Sequence, residues 1–161
     1  MGPLFEHRLV QNPALAAEIL WECVNACFEA TDRVSGPPLP AMFLVLPLTF
    51  HQRSADALAN KQQPGALYRA LAEYPPLVVG LQKRMQTMAD LTWEGLSLGF
   101  SAALFGLESN PAIRLFPKRR TPPVRHGTED VQSVIGASRR VGQTIAEMPL
   151  EQLCQALGVR F

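Results

Sequence analysis

The sequence predicts a mainly α protein: a single compact helical domain, residues 1–161, with a small basic β-hairpin that makes it winged-helix-like. Three observations carry that expectation. Apolar residues recur at helical spacing along most of the chain. The block Pro37–His51, PPLPAMFLVLPLTFH, holds no Asp, Glu, Lys or Arg and has proline near both ends. The helical period breaks over 109–127, where prolines and cations replace it and a basic hairpin or arm is expected.

Composition sets outer limits. A chain that is 47% hydrophobic and 18% charged has the balance of an ordinary globular protein rather than a disordered one. A net charge of +1 predicts no global attraction to nucleic acid or membrane, so any polyanion contact must be local. The 3 cysteines, Cys23, Cys27 and Cys154, come without CxxC spacing or a secretory signal, which fits reduced thiols in a cytoplasmic protein.

The elements follow in order. Asn12-Pro13 opens a helix over 13–31, because asparagine caps well and proline at the first helical position forfeits only an amide without a partner. Leu15, Ile19, Cys23, Ala26 and Ala30 form its apolar stripe, widened by Leu20, Val24 and Cys27; Glu18, Glu22, Asn25 and Glu29 are expected on a solvated face. The block 37–51 is too short and too proline-broken to cross a bilayer, which takes about 20 apolar residues. Pro40 near its start and Pro47 near its end favour a short buried helix over a central strand, where proline would remove a ladder bond.

Pro64 starts a short helix through Tyr74, stopped by Pro75-Pro76. Leu77, Leu81, Met85 and Met88 mark another, and Thr92–Leu107 a further one with Trp93, Leu96, Phe100, Ala103, Leu104 and Leu107 inward. Gly95 and Gly99, four apart, predict a close helix contact. In the arm, Ile113–Phe116 reads as a first strand and Val124–His126 as its return. Thr128-Glu129-Asp130 caps the next helix, whose stripe is Val131, Val134, Ile135, Val141, Ile145 and Met148. Pro149 opens a terminal helix with Leu150, Leu153, Cys154 and Leu157 on one face and Gly158-Val159 as its stop.

Chemistry-bearing motifs are few. Gly95-Leu96-Ser97-Leu98-Gly99 matches GxSxG, but a nucleophile elbow needs a strand before the serine, whereas a helical pattern precedes Ser97 and no Asp lies between it and His126. His7, His51 and His126 stand apart from any metal-ligand spacing, and Cys23/Cys27 have no histidine nearby. No phosphate-cradling glycine loop occurs, so no cofactor or metal is expected. The polar feature with most content is the arm: Arg114, Lys118, Arg119, Arg120 and Arg125 with no acid between 109 and 127. Protein docking, DNA contact in winged-helix fashion, and plain solvation are the three readings it supports.

The order of these features resembles the middle component of bacterial three-component ABC systems. The residues that carry the likeness are Asn12-Pro13-Ala14, the block Pro38-Leu39-Pro40 to Leu46-Pro47-Leu48 ending in His51, and Pro76-Leu77-Val78-Val79-Gly80-Leu81. The arm, Thr128-Glu129-Asp130-Val131 and Leu157-Gly158-Val159 complete it. Pro40, Pro47 and His51 look like a structural signature. The resemblance implies an adaptor without enzymatic activity that links an SMC- or Rad50-like ABC ATPase to an effector in defence against phage or plasmids, as in Lamassu-like systems. It implies no catalytic residue, no cofactor and no membrane.

Overall fold

Asn12 caps the first helix, α1 (Pro13–Ala30), by accepting the Leu15 N–H on its side-chain oxygen at 3.1 Å, with Pro13 at the first helical position. The computed structural model describes residues 12–51, 78–109, 111–118 and 129–161; the helix expected over 64–74 lies outside them. Those residues are mainly helical, with one two-stranded antiparallel hairpin.

Helix α1 is central. Ala16, Ile19, Leu20, Trp21, Cys23, Val24 and Cys27 are all buried, a wider sector than one apolar stripe covers. Its neighbours explain why: α1 packs against the next helix α2 (Met42–Thr49), a long helix α3 (Leu81–Ser101), a fourth helix α4 (Glu129–Glu147) and the second strand of the hairpin. Small residues allow the approach. A Cβ on Gly142 would stand 2.3 Å from the Cys23 carbonyl oxygen, and one on Gly95 would meet the Cβ of Ala16 at 3.1 Å. Ser138 donates its hydroxyl to the Ile19 carbonyl at 2.6 Å, a buried bond that fixes the register of α4 on α1. The glutamate face is only partly solvated, since Glu22 accepts from Arg139 Nε at 2.8 Å.

The apolar block forms a short 3₁₀ turn, Leu39–Ala41, leading into α2, as its prolines predict. Every residue from Met42 to Thr49 except Phe43 is buried, so the helix lies in the core. Pro47 sits inside it and has no N–H to donate. Arg84 of α3 donates Nε to the Pro47 carbonyl at 3.3 Å, tying α3 to the last turn of α2.

Two boundaries differ from the sequence expectation. The segments expected as separate helices, from Leu77 and from Thr92, are one continuous helix, α3, which starts after Gly80. It also ends at Ser101 rather than Leu107. Ala103 takes a left-handed conformation (φ 55°), and Leu104 N–H returns to the Gly99 carbonyl at 2.9 Å. The chain then leaves as β1 (Phe105–Ser109), because Phe105 folds back over Gly99 and meets Phe100 edge-on at 4.9 Å.

Strand β2 (Ile113–Pro117) is therefore the return strand of the hairpin, not the first. Its register pairs Phe105 with Pro117, Leu107 with Leu115 and Ser109 with Ile113. The return expected at 124–126 lies outside the described residues. Helix α4 carries Glu129 and Asp130 in its first turn and buries Val134, Ile135, Val141 and Ile145, as its stripe predicts. Helix α5 (Leu150–Leu157) starts after Pro149 and stops at Gly158 (φ 67°), with Val159 N–H on the Cys154 carbonyl at 3.0 Å. Beyond it, Gln82 of α3 exchanges two hydrogen bonds with the backbone of Arg160, at 2.8 and 3.0 Å.

Candidate functional site

Of the five sequence-predicted cations, Arg114 and Lys118 fall among the described residues. Arg114 is half-buried and donates Nη1 to the Gly36 carbonyl at 3.0 Å, so it braces the loop after α1. Leu115 N–H donates to the Pro37 carbonyl at 2.9 Å and Pro38 bridges Arg114 antiparallel, which lays Gly36–Pro38 along β2 as a short extra strand. Only Gly36 fits there, since a Cβ would fall 1.6 Å from the Leu115 carbonyl oxygen. Lys118 is exposed at the end of β2, while Arg119, Arg120 and Arg125 lie outside the described residues.

The signature residues separate. Pro40 is exposed in the 3₁₀ turn, Pro47 is buried in α2, and half-buried His51 follows α2 at a cavity of about 440 Å³ that Phe50, Gly80, Arg84 and Met88 also line. Burial lowers the pKa of Arg84 there. A wider groove of about 820 Å³ runs between the C-terminal end of α1, the loop braced by Arg114, and the elbow joining α4 to α5. Cys27, Thr31, Ser35, Arg114 and Met148 line it.

Cys27 opens toward the groove, but burial pushes its thiol up to about 12 against the smaller opposing pull of Arg114, so it is held as an unreactive thiol. Cys23 is raised as well, by burial first and by Cys27 second. Ser97 stands exposed in the middle of α3, far from the strand-to-helix turn that a nucleophile elbow requires. Among the described residues no group of three or more His, Cys, Asp or Glu could hold a metal ion, and no helix is long and apolar enough to cross a membrane.

What the surface does offer is apolar area. Trp93 and Leu98 on α3 and Leu107 and Ile113 on the hairpin are exposed, Trp93 by 52% and Leu107 by 50%. Trp93 stands edge-on to Phe43 of α2 at 5.0 Å, so it is held in place rather than free to swing. Sequence periodicity placed Trp93 and Leu107 inward and so missed them as surface; for Leu107 the cause is the stop at Ser101, which takes the following residues out of the helix, whereas Trp93 is exposed within α3 itself. Positioned aromatic and aliphatic side chains on a surface are how protein partners are held.

The chain matches the family described as ABC-three component (ABC-3C) system Middle Component 3 over residues 3–161. No curated protein and no solved structure matches it.

Proposed function

The chain belongs to the ABC-three component system Middle Component 3 family, and from that premise we propose that it is a non-catalytic adaptor linking an SMC/Rad50-like ABC ATPase to an effector. The setting we propose is bacterial defence against phage or plasmids, in the cytoplasm. The observation that carries the reading is the family match across residues 3–161. The surface agrees with it: apolar side chains are presented on α3 and the hairpin.

Co-expression with the ATPase and effector of the same system tests this. A complex that survives gel filtration at micromolar concentration is the expected result, and three separate peaks would refute it. The alternative, a winged-helix module that grips DNA through the basic arm, has less support because Arg114 is already engaged with Gly36. Binding to DNA that weakens steeply with added salt would favour that alternative.

A further inference from the structure

The hairpin's two edges are unequal. Along β2 the chain lays its own Gly36–Pro38 segment. Along the outer side of β1 no described residue is laid. The register decides which groups this leaves open. Lys118 N–H donates to the Leu104 carbonyl at 2.9 Å, so residues 104, 106 and 108 face β2, whereas 105, 107 and 109 turn their amides away from it. Leu115, directly opposite Leu107, shows the same phase by sending its own N–H outward to Pro37. Among the described residues, Phe105, Leu107 and Ser109 have no hydrogen-bond partner on that outer side. Exposed edges are ordinarily blunted by proline, a bulge or charge, and Phe105–Ser109 has no proline and a single charge, Glu108.

The side chains around this edge are complementary to one another. Gly106 leaves a gap on one face of β1. A Cβ there would lie 2.8 Å from Lys118 Cε and 2.7 Å from Phe116 Cζ, so the Lys118 side chain reaches across to lie over Gly106 of β1. Two residues further along the same face stands exposed Glu108. Leu107 projects from the other face, exposed by 50%.

From this we infer that β1 pairs edge to edge with β1 of a second copy of the chain, antiparallel about a two-fold axis at Leu107, joining two hairpins into one sheet. In that register Phe105 lies opposite Ser109 of the other copy, and the three outward-facing residues meet outward-facing residues. Glu108 then falls opposite Gly106 of the other copy, over which that copy's Lys118 side chain lies. The two-fold repeats the pair, giving two Glu108–Lys118 contacts and a Leu107–Leu107 contact at the axis. An edge of five residues buries little area, so the dimer forms and dissociates readily rather than permanently. Unlike the adaptor reading, this inference concerns the chain alone.

Sedimentation of the purified chain from low micromolar concentration to about 200 μM tests the inference, since weak interfaces populate in that range. A concentration-dependent dimer is expected, and a monomer throughout would overturn it. Leu107→Pro removes an outward N–H without touching a β1–β2 bond, so it should abolish the dimer while near-UV circular dichroism stays unchanged. Glu108→Lys and Lys118→Glu should each weaken association several-fold, and the double reversal should restore it. A dimer insensitive to all three variants, or protection of the Leu107 and Ser109 amides from exchange only when another component is present, would assign the edge to a different occupant and overturn the proposal.

Discussion

One tight constraint in the core is a missing methyl group. Gly142 lies where α4 meets α1, and a side chain there would push 2.3 Å into the Cys23 carbonyl oxygen, which is backbone and cannot swing aside. Gly142→Ala should therefore cost about 2–3 kcal/mol through overpacking, seen as a lower midpoint in urea. The cysteines on α1 make a second prediction. Burial raises both Cys23 and Cys27 above their ordinary range, so above about pH 8.5 the unfolded chain loses thiol protons that the folded chain keeps. The folded state then binds more protons than the unfolded one, and stability falls as pH rises toward about 12, the pKa of Cys27. Thermal unfolding followed from pH 8 to pH 11 should show that decline, and Cys27→Ala should flatten it relative to the native chain. A decline of equal slope in both would show that the thiol is not its source.

Helix ends decide how much of the fold was legible. Three helices stop by the same device, a left-handed residue followed by an amide that reaches back to close the last turn. In α5 that residue is Gly158, in α3 Ala103, and after α1 Asp32 (φ 54°), with Arg33 N–H on the Phe28 carbonyl at 2.9 Å. Only the glycine announces itself, so the end of α5 could be read and the end of α3 could not. An alanine signals helix, and the periodic run Phe100, Ala103, Leu104, Leu107 continues past the true stop. What ends α3 is tertiary: Phe105 gains more by covering Gly99 than by extending the helix. That single miss shifted the hairpin, because its first strand had been spent on the helix. Ala103→Gly removes the left-handed cost at this position and should raise stability by about 0.5–1 kcal/mol, measured as a higher melting temperature. A lower melting temperature would mean that the turn is held by packing alone. The apolar block fared better, since proline spacing alone separated helix from strand, and α2 confirms it.

At the scale of the molecule, the core was readable and the surface was not. Apolar periodicity identifies which residues leave water, and those of α1, α4 and α5 are buried almost as their stripes indicate. It carries no information about where an arginine points, and Arg114 turned inward to Gly36 although its charge suggested an outward role. A dimer through β1 would give the adaptor two identical sets of partner contacts, and engagement of both would raise avidity without any new interface. Duplicating the chain in tandem should then mimic the effect of the dimer on complex lifetime, whereas Leu107→Pro in the single chain should shorten it.

The central position of α1 has a consequence during synthesis. The helix is translated first and is apolar over most of its circumference, yet the hydrogen bond that seats α4 on it joins Ile19 to Ser138, 119 residues later. At about 5–20 residues per second, the nascent helix waits roughly 6–24 s for that partner. Throughout that interval the face that α4 will cover is exposed to whatever else the ribosome's surroundings offer, so the yield of folded protein should depend on translation speed and on chaperone supply as well as on the stability of the finished molecule.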